Sequence, residues 1–147
     1  DPEKAGSKIV ILGAGLVGLE LAIYLHLLGK KVSVVEMTDK ISDGGNILHA
    51  RSIEVELKRH GIPVHFKTVA KEITDQGVLC EKVNGESKTL EADNFIYAVG
   101  QEPLQSDALT LKFCAPEFYM IGDCVAPKNI ANATGLAYNT AVNIGRF

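Results

Sequence analysis

An α/β fold is predicted by this 147-residue sequence: a parallel sheet with helices on both faces, plus a three-stranded antiparallel meander. Two observations carry the prediction. Between Lys8 and Glu36, two short apolar, β-branched runs flank a glycine-rich turn and a helix-length apolar segment. Beyond residue 66 the pattern changes to short alternating runs, broken by Asp75-Gln76-Gly77 and by Asn84-Gly85. These are hairpin signals rather than crossover signals.

Lys8-Ile9-Val10-Ile11-Leu12 reads as a strand buried on both faces, and Lys31-Val32-Ser33-Val34-Val35 reads the same way. Between them, Leu16, Val17, Leu19, Leu21, Ala22, Ile23, Leu25 and Leu28 make a helix that is apolar nearly all round and stops at Gly29. The turn that joins the first strand to this helix is Gly13-Ala14-Gly15-Leu16-Val17-Gly18, a G-x-G-x-x-G. Strand, glycine loop, helix and strand in this order form a Rossmann-type βαβ unit, the arrangement that takes a dinucleotide. Gly13 permits the tight turn, Gly15 lets backbone N–H groups approach a pyrophosphate, and Gly18 lets the helix pack closely on the strand. The anion would sit at the helix N-terminus, facing unpaired N–H groups and the positive end of the dipole.

Glu36 stands 23 residues after Gly13, at the end of the second strand, where a carboxylate accepts both hydroxyls of an adenosine ribose. Met37-Thr38-Asp39 offers no arginine to a 2′-phosphate, and Lys40 is the one nearby cation. NADH is therefore the expected ligand rather than NADPH. Val69 and Ala70, just past the third strand, are placed to line an adenine or to join the core.

The remaining elements follow in order. Met37 to Gly45 is a polar connection with a loop signal at Asp43-Gly44-Gly45. A helix over 46–60 is capped by Asn46, buries Ile47, Ala50, Ile53 and Leu57, and ends at Gly61. Residues 62–66 give the third parallel strand. The meander occupies 67–74, 77–83 and 87–92, and 94–99 is a further buried strand ending at Gly100. Residues 101–111 read as loop, 118–121 as a short strand ending in Gly122-Asp123, and 129–146 as a helix. That last helix carries Ile130, Ala133, Ala137, Ala141 and Ile144 on one face.

Bulk properties exclude several function classes. A net charge of −3, without a Lys/Arg cluster, argues against a nucleic-acid surface. Cys80, Cys114 and Cys124 are odd in number and form no C-x-x-C, which disfavours a disulfide scaffold and suits a reducing cytoplasm. The histidines lack metal-ligand spacing, and no apolar stretch is long enough to span a membrane. A start at Asp1, without methionine, is what an excised piece of a longer chain would show.

The order of parts resembles the two-dinucleotide flavoprotein reductases of the pyridine nucleotide-disulfide reductase superfamily. Gly13-x-Gly15-x-x-Gly18-x-Glu20-x-Ala22 is similar to that family's NAD(P)H fingerprint, which implies that Glu20 lies near the nicotinamide amide. Asp93 to Pro103, through Ala98-Val99-Gly100, resembles the strand that closes the nucleotide domain, with Gly100 beside the cofactor. Tyr119-Met120-Ile121-Gly122-Asp123 resembles the second FAD motif, whose Asp binds the ribityl–pyrophosphate region. The short link between the last two segments, and Gly122 to Ile130, resemble the Old Yellow Enzyme-related iron–sulfur flavoproteins: dienoyl-CoA reductases, enoate reductases and trimethylamine dehydrogenase.

The resemblance implies a domain that binds NADH and presents its hydride to a flavin in a parent protein. It also implies FAD in that parent, with FMN and an iron–sulfur cluster elsewhere in it. The N-terminal FAD half and the FMN barrel would be its partners, because neither is encoded here. Residues 1–112 would be the NAD(P)H domain. Residues 113–147 would be the end of an FAD domain, with 118–121 added as a parallel strand beside 95–99 and helix 129–146 covering one face. A homodimer that exchanges this tail is the alternative arrangement. Two other readings stay open: a module holding ADP without hydride transfer, and a small complete dehydrogenase, against which no Tyr-x-x-x-Lys pair is present.

Overall fold

The computed structural model describes residues 2–42, 44 and 46–146. Asp43 and Gly45 of the expected loop signal lie outside the described residues. The chain divides into two compact units, 1–100 and 101–147.

In the first unit a single-turn 3-10 helix, Pro2–Lys4, precedes β1 (Lys8–Leu12), α1 (Leu16–Leu27), β2 (Lys31–Val35), α2 (Ile47–Arg59) and β3 (Val64–His65). Then come β4 (Thr68–Thr74), β5 (Gly77–Lys82), β6 (Ser87–Glu91) and β7 (Asn94–Tyr97). The parallel sheet has the order β3-β2-β1-β7, and the meander β4-β5-β6 is antiparallel. β3 keeps only two residues because the chain turns at once into β4. Lys67 takes a positive φ of 51° at that corner.

Side-chain alternation along β1 builds two cores. Ile9 and Ile11 pack with Leu19, Ala22 and Leu25 of α1 and with Ile53 and Leu57 of α2. Val10 and Leu12 point the other way, with Val35, onto Val78, Cys80 and Leu90 of the meander. The expectation of helices on both faces is thus corrected: helices cover one face and the meander covers the other. Crossover handedness explains it. The steps β1 to β2 and β2 to β3 move in one direction, so right-handed connections put α1 and α2 on the same side. The return from β3 past β1 to β7 reverses direction and crosses the opposite face, and here that crossover is the meander.

The buried stripe of α2 begins at Ala50 and runs through Ile53 and Leu57. Ile47, expected in it, is exposed, because it opens the helix one turn before the stripe meets the sheet. Asn46 does cap the helix, its Oδ1 accepting from the His49 N–H at 3.1 Å.

The second unit contains α3 (Gln105–Leu109), a 3-10 turn at Gly122–Cys124 and α4 (Ile130–Ala141). Two expectations are corrected here. Residues 101–111 are not all loop, since α3 forms within them. Residues 118–121 form no strand, and the parallel sheet stops at β7. The four-residue run 118–121 has few ladder bonds to offset the cost of ordering it. α4 is shorter than expected and buries none of its residues; Ile130 is 83% exposed, and Ile144, beyond the end of the helix, 59%. Among the described residues, no helix is long and apolar enough to cross a membrane.

Candidate functional site

Sheet order reverses between β1 and β7, and ligands of open α/β sheets bind in the crevice beyond the carboxyl ends of the strands at such a point. Gly13 leaves β1 there, Ala98 leaves β7 and Glu36 leaves β2. Gly13 donates its N–H to Val35 O at 2.8 Å, and Ala98 donates its own to Leu12 O at 2.8 Å. Three strand ends are thereby fastened around one loop.

The glycines divide the work. Gly13 has φ +109°, and a β-carbon on it would stand 2.4 Å from Ala98 O. A β-carbon on Gly18 would meet Gly13 O at 2.4 Å and the Ala98 methyl at 3.1 Å. Both are needed for close approach of loop, helix and β7. Gly15 differs, because a β-carbon there would meet nothing within 4 Å. It is the N-cap of α1, no side chain caps that end, and no acid lies in the first turn. The helix start therefore faces open space with its amides and dipole available to an anion. This is the cradle a pyrophosphate requires, and the residues present fit a dinucleotide.

Glu36 closes the cradle from the β2 side. Its Oε2 accepts the Ala14 N–H at 2.7 Å, and its Oε1 accepts the Thr38 N–H at 2.8 Å. Partial burial on its own would raise the carboxyl. The Ala14 and Thr38 backbone donors, with the Thr38 side chain and the Met37 N–H, outweigh it and hold the group below the usual carboxylate range. Two bonds leave lone pairs on an ionised carboxylate for further donors. Met37 and Lys40 are exposed beside it, and Thr38 Oγ donates to Lys40 O at 2.9 Å.

The other expected site residues scatter more. Leu16 and Val17 lie in the first turn of α1, and Val17 is exposed. Glu20 pairs with His49 across to α2, Oε1 to Nε2 at 2.6 Å, both side chains about half exposed. Val69 and Ala70 lie in β4, the first meander strand: Ala70 packs on the meander core and Val69 is at the surface. Val99 is exposed, and Gly100 has φ +108° with open space at its missing side chain. Gly122 and Asp123 belong to the second unit, in its 3-10 turn, with Asp123 exposed.

Sequence reasoning missed Ser42, whose N–H donates to Ala14 O at 3.2 Å, and missed Thr38 as a Glu36 partner. A polar residue two positions after the acid was the one signal for Thr38; backbone donation by Ser42 leaves no trace in residue type. Two surface hollows, of about 430 and 640 Å³, are lined by Lys8, Glu91 and Asp93 and by His26, Lys31 and Pro63. They open at the amino ends of the strands, opposite to the loop. A dinucleotide lies along a shallow cleft at the carboxyl ends of an open sheet, away from both hollows. No group of three or more His, Cys, Asp or Glu among the described residues is placed to hold a metal ion.

Comparison with known proteins fits this geometry. Residues 1–137 match the family model described as pyridine nucleotide-disulphide oxidoreductase. The chain is 34% identical to a cinnamate reductase of Clostridium sporogenes, over 97% of its own length and 22% of the relative's. It is 28% identical to an NADH oxidase of Thermoanaerobacter brockii, over 93% of this chain and 21% of that one. A solved 2-naphthoyl-CoA reductase complex superposes with a TM-score of 0.85 at 29% identity, covering 96% of this chain and 22% of that one. The chain thus spans about a fifth of the length of these relatives. Because that family model matches residues 1–137, nearly the whole chain, the chain belongs to the pyridine nucleotide-disulphide oxidoreductase family.

Proposed function

We propose that this chain is the NADH-binding domain of a longer flavin-dependent oxidoreductase and presents the nicotinamide of NADH to a flavin held elsewhere in that protein. One observation carries the reading: Glu36, the residue suited to a ribose diol, is bonded directly to the loop suited to the pyrophosphate. The name of the NADH oxidase relative is consistent with it.

Each residue then has a task. Gly13 to Gly18 hold the pyrophosphate on backbone amides. Glu36 accepts the adenosine ribose hydroxyls, with Met37 and Lys40 at its rim. Val69, exposed on β4, flanks the adenine side, and Ala98, Val99 and Gly100 flank the nicotinamide side. Glu20 meets the nicotinamide amide through the carboxylate oxygen that His49 leaves free. Bound NADH supplies the hydride; the protein supplies orientation, and no side chain of this chain is assigned acid–base or nucleophilic work. Gly122 and Asp123 lie in a single 3-10 turn with no glycine loop of their own, so these residues do not fit FAD by themselves. FAD, and FMN or an iron–sulfur cluster, belong to the remainder of the longer protein, as do its missing FAD half and barrel. A tail-exchanged homodimer is not needed for this function.

Calorimetry with ADP and NADH tests the reading. NADH is expected to bind several-fold tighter than ADP, because the nicotinamide half adds contacts at Ala98 to Gly100. Equal affinities would instead mark a structural ADP site.

A further inference from the structure

Ala14 is the residue between the first two glycines, and it is completely buried. The peptide groups on either side of it are each held by one short stretch that follows β2. Glu36 Oε2 takes its N–H at 2.7 Å, and the Ser42 N–H donates to its carbonyl at 3.2 Å. Glu36 is itself fixed on both sides: its N–H donates to His65 O and its carbonyl accepts from Thr68 N, each at 2.9 Å. Its second carboxylate oxygen is braced by the Thr38 N–H at 2.8 Å. The carboxylate is therefore held in place by the sheet before any ribose arrives, and it reaches the pyrophosphate loop.

We infer that Glu36 is a positioning residue for the phosphate loop as well as a ribose acceptor, fixing through Ala14 the shape in which the loop amides meet a pyrophosphate. The inference rests on the dinucleotide reading above. It follows that the two ends of the adenosine diphosphate half are not read independently. A change that removes Glu36 weakens the phosphate cradle too, so an exchange of Glu36 for a basic residue does not by itself convert the domain to NADPH.

The test separates the two tasks with a ligand that lacks one of them. 2′,3′-Dideoxy-ADP keeps the pyrophosphate and has no ribose hydroxyl for Glu36. On the full 147-residue chain, Glu36→Ala is expected to bind it about tenfold more weakly than the wild type, the size of one charge-assisted hydrogen bond. Glu36→Gln, which retains a carbonyl oxygen for the Ala14 N–H, is expected to fall between them. Equal binding of 2′,3′-dideoxy-ADP by the wild type and Glu36→Ala would overturn the inference.

A ligand-free readout runs beside it. The Ala14 amide resonance is expected to move with the Glu36 carboxyl carbon through a single acid midpoint, and to lose that transition in Glu36→Gln while the Ile9 to Leu12 amides keep their native positions. An Ala14 resonance that stays still while Glu36 titrates would overturn the inference. Should the wild type bind neither ADP nor NADH, the dinucleotide reading falls, and the titration decides the loop claim alone.

Discussion

A β-carbon on Gly18 would stand 2.4 Å from the carbonyl oxygen of Gly13, whereas one on Gly15, midway between them, would meet nothing. Two glycines of one motif therefore fail differently. Gly18→Ala forces helix α1 off its strand and is expected to destabilise the fold by about 1–3 kcal/mol, visible as a lowered Tm. Gly15 already has φ −76°, which alanine adopts freely. Gly15→Ala is expected to leave Tm unchanged and to cost about tenfold or more in NADH affinity, by placing a methyl where the pyrophosphate meets the helix amides. A lowered Tm in Gly15→Ala, with unchanged NADH binding, would contradict this division.

Stability is expected to fall on acidification in two stages. Burial, and then Lys88 and Lys82, push the His65 imidazole below its usual range, so unfolding takes up a proton. The unfolded state binds more protons there, so stability rises with pH: it is complete above about 6.5 and declines as pH drops below that value. Several carboxylates continue the loss at lower pH. Asp93 is held down first by the Lys8 backbone N–H, its Oδ2 2.8 Å away, and Glu36 by the Ala14 and Thr38 donors against its own partial burial. Their contribution is present above the unfolded carboxylate range and lost as pH falls through the lower folded values. Denaturant midpoints measured from pH 7.5 to 4 check this. His65→Leu is expected to flatten the upper stage and leave the lower one.

Thiol labelling is expected to rank the cysteines. Cys80 is buried in the meander core and its thiol is pushed up by burial, whereas Cys114 is exposed. A thiol reagent should modify Cys114 quickly and Cys80 only on unfolding. Fast labelling of Cys80 in the native protein would show that the meander opens off the sheet.

Much of this architecture was legible in residue order. The glycine loop between two β-branched runs fixes β1, α1 and β2, and Asn84-Gly85 marks the β5 to β6 hairpin. The placement of the covering layers was not legible, because it depends on crossover direction between strands far apart in sequence. Val69 and Ala70 show the same limit: apolar residues after β3 fit an adenine wall or a core equally well, and the meander takes Ala70. Residue type singled out Glu36 as a candidate but gave no sign of its grip on Ala14, since a backbone donor is the same in every residue but proline. The missing strand at 118–121 has a different cause. The run 118–121 has the composition of a strand, yet a strand exists only where a partner edge supplies its ladder.

The most direct measurement is calorimetric titration of the 147-residue chain with NADH and then NADPH. A 2′-phosphate about 4 Å from the Glu36 carboxylate, at an effective dielectric near 20, is repelled by about 4 kcal/mol, and half of that is still more than tenfold. NADH is expected to bind and NADPH to bind at least about tenfold more weakly, with the gap narrowing in Glu36→Ala. Absence of NADH binding, or equal affinity for the two nucleotides, would contradict the assignment of this loop and this acid to NADH.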